Sequence, residues 1–362
     1  MSDRDPVQQG LSDEDLYDVA DWDARSALDG FAVSLAGLLH ASKRWVLILF
    51  ALLLFVVQLS FAGLLVVRRP ALGILALLSA VPAVALVAYV WYGDPTRREP
   101  IDTLAVTFVL SVLFAAIAAL VNTLLGGLFE LIPIVGTTLF FFLVVGPIEE
   151  TVKWLSIRVH AYGTDHFDAV IDGAVYGAVA GLGFATIENT LYIAQGYMQA
   201  ASMGDLAQLQ QAVGTSLSRA LVGPGHVLYS AFAGYYLGLA KFNPDNKGPI
   251  VVKGLLIAVL IHATYNTLVS TLPSVLPVWN VATLLGFVLA FDGIVGYMLY
   301  RKLSRYRSYY SRVSESGDDR GAVDDEAADA PETSPEPRAT IEQSDEPADA
   351  DTAEETHDTT EN

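Results

Sequence analysis

No cysteine occurs anywhere in the 362 residues. That absence excludes disulfides, Cys-ligated zinc, iron–sulfur clusters and a thiol nucleophile together, and leaves any metal to His, Asp, Glu or Asn. Positive charge is scarce as well: 21 Lys and Arg stand against 40 Asp and Glu, and no basic face is large enough to hold nucleic-acid phosphates. A Gly-rich phosphate loop ending in Lys-Ser/Thr, a local His-Glu-x-x-His pair and a convincing internal repeat are also missing. What is plentiful is apolar mass, at 53% of residues, which sits awkwardly with a net charge of −19 in one uniform globular domain. Dividing the chain removes the conflict. Residues 1–40 carry −7, residues 313–362 carry −16, and residues 41–312 carry +4 with nearly all the apolar content. This distribution argues against a soluble enzyme.

A helix needs about 20 mostly apolar residues to cross the hydrocarbon core. Such stretches recur at about 45–67, 71–92, 101–125, 132–157, 169–195, 211–240, 250–271 and 275–300. They predict an all-α, polytopic membrane helix bundle of about eight transmembrane helices over 45–307, embedded in the lipid bilayer. The acidic N-terminus has no small-residue cleavage site after a short apolar run, so the first span is expected to stay in the mature protein. Lys and Arg set the orientation. With the N-terminus in the cytoplasm, Lys43/Arg44, Arg97/Arg98, Arg158, Lys241/Lys247/Lys253 and Arg301/Lys302/Arg305/Arg307 all lie inside, and the outer loops 126–131, 196–210 and 272–274 have no Lys or Arg. Arg68 and Arg69 disagree, which a shallow hairpin of the first two spans would explain. Residues 1–44 are then an acidic cytoplasmic segment. Residues 308–362 are an acidic cytoplasmic tail, expected to be disordered because Asp, Glu, Ala, Thr and Pro bury too little surface.

Ionisable side chains inside the bilayer cost a few kcal/mol each, about 2.5–3.5 on insertion scales, and mark function by default. Span four carries Pro147-Ile148-Glu149-Glu150-Thr151-Val152-Lys153-Trp154. Glu149 and Glu150 precede Lys153 by four and three residues, so one ammonium can neutralise one carboxylate and leave the other free. Span five places Glu188 and Asn189 in a Gly-rich helix open to close approach, with Phe184 one turn earlier. Span six has Arg219 and then Gly223-Pro224-Gly225-His226, where the proline is expected to open the helix and aim the imidazole into a cavity. Span seven places His262 and Asn266 at i,i+4. A single membrane histidine is more often a packing residue than a ligand. The four segments together invite another reading. Two neutral imidazoles and one carboxylate would complete a three-ligand zinc site with its fourth position left to water. A free carboxylate could take that water's proton and pass it to a leaving amine. Asn266 or Arg219 could stabilise the oxyanion. At about 1.5 Å per residue, however, Glu149 lies near the inner end of its span and Glu188 near the outer end of its own. They meet if span five begins a turn or two later, with Asp168 and Asp172 at the cytoplasmic boundary.

Glu149-Glu150-x-x-Lys153 in one helix, Phe184-x-x-x-Glu188-Asn189 in the next, then His226 and His262 in two further helices resemble the PrsW family of intramembrane proteases. That family belongs with the CAAX prenyl endopeptidases and bacteriocin-processing enzymes. The resemblance covers about 101–300, taken as the protease-like core. It implies membrane helices around a polar, metal-dependent peptidase site, with Glu149 as general base. Glu188, His226 and His262 fall on metal or near-metal positions, with zinc as the expected ion. Glu150 and Asn266 fall on supporting positions. In CAAX-type relatives the second motif ends in His, where this chain has Glu188. The resemblance also implies a membrane-anchored protein substrate, in one branch an anti-sigma factor. Two other readings of the polar cluster are a non-catalytic membrane scaffold or chaperone with a polar cavity, and a proton-coupled transporter in which the glutamates and histidines form a relay. Paired broken helices in matching halves, expected of a transporter built on inverted repeats, are not apparent.

Overall fold

A computed structural model describes residues 25 and 27–328. Among them the regular structure is helical, with no strand. The chain divides into two units, Met1–Arg312 and Val313–Asn362. The helices are α1 (Ala27–Arg68), α2 (Pro70–Tyr92), α3 (Ile101–Glu130), α4 (Gly136–Phe140), α5 (Gly146–Val159), α6 (Asp172–Gln199), α7 (Asp205–Lys241), α8 (Lys247–Val275) and α9 (Val281–Ala328). A π-helical turn, Phe141–Val145, joins α4 to α5.

Four of these helical stretches are long and apolar enough to cross a membrane: Pro70–Tyr92, Ile101–Glu130, Pro244–Val275 and Val281–Ser311. The eight expected spans therefore do not all stand out by length and apolarity, and the reasons differ. α1 holds the whole first expected span, 45–67, in helix, and its stretch Trp45–Ser60 is apolar. Span four is continuous in helix from Gly136 to Val159 but carries Glu149, Glu150, Lys153 and Arg158. Spans five and six lie in α6 and α7, which form the interior of the bundle. From Asp172 to Gly181 every residue of α6 is buried, and α7 is buried along most of Gly223–Ala240. A helix wrapped by other helices need not present lipophilic side chains, so Gly, Ala and polar residues are admitted there. Lipid-type surface belongs to the periphery, where Leu53, Leu77, Leu124 and Leu289 are each more than 60% exposed. Such a coat of large apolar side chains is what a hydrocarbon solvent requires.

α6 and α7 approach backbone to backbone. Gly173, Gly177 and Gly181 recur every fourth residue on one face of α6. A Cβ at these positions would strike the carbonyls of Gly234, Ser230 and His226. This small-residue stripe replaces side-chain interdigitation with close van der Waals contact, the packing that membrane helices favour. It also sets the position of His226. On the other side of α5, Gly146 lies against the Val259 backbone of α8, which brings Glu149 and Glu150 beside His262 one turn further along.

Pro224 does not break α7, which runs through it without interruption. α6 begins at Asp172, three residues after the predicted start of span five and less than the turn or two expected, and Glu149 and Glu188 line one cavity. α9 continues in helix to Ala328, into the stretch expected to be disordered, despite Gly317, Gly321 and four Asp residues of low helix propensity there. The remainder of the expected disordered tail, 329–362, and residues 1–24 of the acidic N-terminal segment lie outside the described residues.

Candidate metal centre

Glu149 and Glu150 stand in the first turn of α5, immediately after the π turn, and both are buried. Single π turns inside helices are frequent at functional sites because they shift the phase of the side chains that follow. As neighbours on a helix, the two glutamates point in different directions and meet different partners. Glu150 is fully engaged: its Oε1 accepts from Lys153 Nζ at 2.7 Å and faces His262 Nδ1 at 2.8 Å, and its Oε2 accepts from Ser230 Oγ at 3.4 Å. Glu149 is only half engaged. Its Oε1 accepts from Asn122 Nδ2 at 3.1 Å, while Oε2 is buried without a hydrogen-bond partner and lies 3.7 Å from His262 Nε2.

These contacts assign the histidine protons. A carboxylate only accepts, so Glu150 places the His262 proton on Nδ1 and leaves a lone pair on Nε2, toward Glu149. Lys153 is wholly buried over the Phe184 ring, and its Nζ lies 2.9 Å from His226 Nδ1. An ammonium only donates, so His226 accepts at Nδ1, carries its proton on Nε2, and donates to Glu188 Oε2 at 3.0 Å. The two imidazoles meet edge to face, with centroids 5.1 Å apart.

Glu188 is partly buried and receives a hydrogen bond from the Arg219 guanidinium. Arg219 also donates through Nε to Asn189 Oδ1 at 2.8 Å and lies over the Tyr192 ring. Asn189 in turn donates to Ser79 Oγ of α2 at 3.1 Å. A cavity of about 600 Å³ opens onto this assembly. Glu149, Glu188, Arg219, His226, His262 and Asn266 line it. All eight residues singled out from the sequence therefore belong to one neighbourhood, six on the cavity wall and Glu150 and Lys153 behind it.

Within that neighbourhood, Glu149, His226 and His262 offer donor atoms that all lie within 4.8 Å of one another. Glu188 stands outside this trio, tied to Arg219. The donor set fits a divalent metal of zinc type on three grounds. It combines two imidazoles with a carboxylate, Glu149 Oε2 is a buried acceptor with no donor, and the Nδ1 of His262 is held by a second carboxylate. Charge agrees: three glutamates face Lys153 and Arg219, one negative charge in excess. Asn122, at the far end of α3, is the contributor that sequence reasoning passed over. Its signal was an amide in an otherwise apolar span.

A family described as "PrsW family intramembrane metalloprotease" matches residues 99–294, a range that contains all eight residues. The chain is similar to Protease PrsW of Bacillus subtilis (strain 168), 30% identical over 198 residues that cover 53% of this chain and 80% of the relative. It is 31% identical over 188 residues to Protease PrsW of Geobacillus kaustophilus (strain HTA426), covering 52% and 76%. It is 29% identical over 199 residues to Protease PrsW of Clostridioides difficile (strain 630), covering 52% and 76%. No solved structure matches the chain.

Proposed function

The chain belongs to the PrsW family of intramembrane metalloproteases, and on that ground we propose that it hydrolyses a peptide bond of a membrane-anchored protein, within or beside the bilayer, with a zinc ion held by Glu149, His226 and His262. The observation that carries this reading is the unpartnered Glu149 Oε2 among two histidine nitrogens on the wall of a cavity lined by helices. Bound there, the ion would supply Lewis-acid polarisation and an acidified water.

The remaining roles follow from what each side chain is free to do. Glu188, just outside the trio, accepts the water's proton and delivers it to the leaving amine. This exchanges the parts that the motifs alone suggest for Glu149 and Glu188. Arg219 positions Glu188 by direct hydrogen bonding. Asn266, with its amide on the cavity wall, donates to the carbonyl oxygen as negative charge develops there. Glu150 and Lys153 are positioning residues. Glu150 would hold His262 in place through Nδ1, and Lys153 holds Glu150 and packs against His226 Nδ1.

The bundle crosses the membrane eight times with both termini in the cytoplasm, supported by the Lys and Arg pattern of its loops. The catalytic core is about 101–300, and the acidic segments 1–44 and 308–362 flank the bundle. A regulatory substrate such as a membrane-anchored anti-sigma factor is the narrowest form of the proposal, and it rests on the family resemblance. The test uses the full chain co-expressed with a single-span substrate, with metal content measured on the purified protein. His226→Ala and His262→Ala should each abolish cleavage and lower bound zinc from about one equivalent per chain. Full cleavage by both variants would overturn the reading.

A further inference from the structure

The turn between α2 and α3 brings together a second buried acidic group. Asp94, Glu99 and Asp172 are 8%, 1% and 0% exposed, and each offers a carboxylate oxygen within 4.8 Å of the other two. Part of this group is structural. Asp94 Oδ1 accepts from the Thr96 amide at 2.8 Å and its hydroxyl at 2.6 Å. Asp172 Oδ2 accepts from the amides of Asp168 and Ala169, both at 2.7 Å, and Oδ1 lies 3.3 Å from Thr96 Oγ1. Three oxygens have no partner: Asp94 Oδ2 and both oxygens of Glu99. Hydrogen bonding within the cluster therefore leaves an entire buried carboxylate, Glu99, unaccounted for.

No Lys or Arg among the described residues forms an ion pair with any of the three. Lys241, whose charge reaches Asp172, spends its Nζ on the carbonyls of Tyr162 and Phe167. The Arg307 guanidinium packs against Gly93, beside Asp94, and leaves Nε and one terminal nitrogen without an acceptor. Buried ionised carboxylates without a partner are too costly to persist. Burial, aided by the neighbouring Asp94 carboxylate, pushes the Glu99 carboxyl up to about 9, so without a cation the group holds a proton in its place.

We propose that Asp94, Glu99 and Asp172 form a second cation site, separate from the zinc-type centre and selective for a hard divalent ion such as Ca²⁺ or Mg²⁺, which fastens the α2–α3 turn to the start of α6. The donors are oxygen only, the set that suits hard cations and not zinc. The spacing suits it too: two oxygens each about 2.4 Å from one Ca²⁺ are at most about 4.8 Å apart. Among the described residues the hydrogen bond that reaches from the turn to the helix start runs from Thr96 Oγ1 to Asp172 Oδ1 at 3.3 Å, so an ion would add a second polar cross-link there. The rival occupant is Arg307, which would neutralise the group from within the chain.

The test follows thermal unfolding of the full-length protein in detergent after chelation and dialysis, titrated with CaCl₂, MgCl₂ or MnCl₂. Wild type should gain several degrees at millimolar ion, because an ion that binds only the folded state stabilises it by mass action. Asp94→Asn and Glu99→Gln should lose most of that gain, while Glu149→Gln/His262→Ala keeps it, so failure of the peptidase reading and failure of this one are distinguishable. No gain in wild type, or an equal gain in Glu99→Gln, overturns the site and leaves Arg307 or a bound proton as the neutralising group. Should the carboxylate variants not fold, Mn²⁺ electron paramagnetic resonance on Glu149→Gln/His262→Ala decides: one tightly bound Mn²⁺ per chain supports the site, and none overturns it.

Discussion

Glu149 and Glu150 differ in sequence position by one residue and in environment almost completely. The i,i+3 and i,i+4 spacing to Lys153 allows either to be the neutralised one. The structure selects Glu150, through Lys153 Nζ at 2.7 Å, and leaves Glu149 Oε2 bare. The choice depends on where His226, His262 and Ser230 stand, and none of these is local in sequence. The division predicts different variant phenotypes. Glu149→Gln should lose bound metal and cleavage together. Glu188→Gln should keep its metal and lose about 10²–10⁴-fold in kcat, as expected for a proton-transfer group. Metal content by elemental analysis beside single-turnover cleavage separates the two, and the opposite pattern would return Glu188 to the ligand set. Lys153→Met leaves a buried carboxylate without its cation and should destabilise the protein by about 3–5 kcal/mol, measured by denaturant unfolding in detergent.

The apolar runs of α2, α3, α8 and α9 could be read directly, because each of these helices meets lipid and needs a continuous apolar coat. α6 and α7 were harder to delimit for the opposite reason: they are the interior, and their partner is each other's backbone. The π turn at Phe141–Val145 left no sequence signal, since FFLVV satisfies any apolar helix. The glycine stripe of α6 was visible as small residues, yet its register against His226, Ser230 and Gly234 emerges only from the packed pair. Gly181→Ala should therefore push α7 away, lowering stability by about 1–3 kcal/mol and displacing His226, with cleavage reduced accordingly. Gly214→Ala, where an added Cβ meets nothing within 4 Å, is the control and should be neutral or stabilising by about 0.5–1 kcal/mol. Equal effects of the two on thermal midpoint would show that helix propensity alone is being measured.

Across the whole molecule, the absence of cysteine makes orientation directly measurable, because any introduced thiol is unique. An impermeant maleimide should label Ser202→Cys on intact cells and Asn246→Cys only after the membrane is opened, both positions being exposed in turns on opposite sides of α7. The reverse pattern would invert the topology inferred from Lys and Arg. By itself the amino-acid sequence determined the all-helical membrane architecture, the separation of acid into the two ends of the chain, and the identity of the polar residues that share one cavity. Those properties follow from composition, apolar periodicity and the cost of charge in hydrocarbon, all local or additive along the chain. Which glutamate is neutralised, which nitrogen of His262 is free, the part played by Asn122, and the grouping of Asp94, Glu99 and Asp172 were decided only by tertiary structure. Each depends on side chains tens of residues apart being brought within about 3–5 Å by helix packing, a distance scale on which hydrogen bonds form and which residue spacing along the chain does not encode.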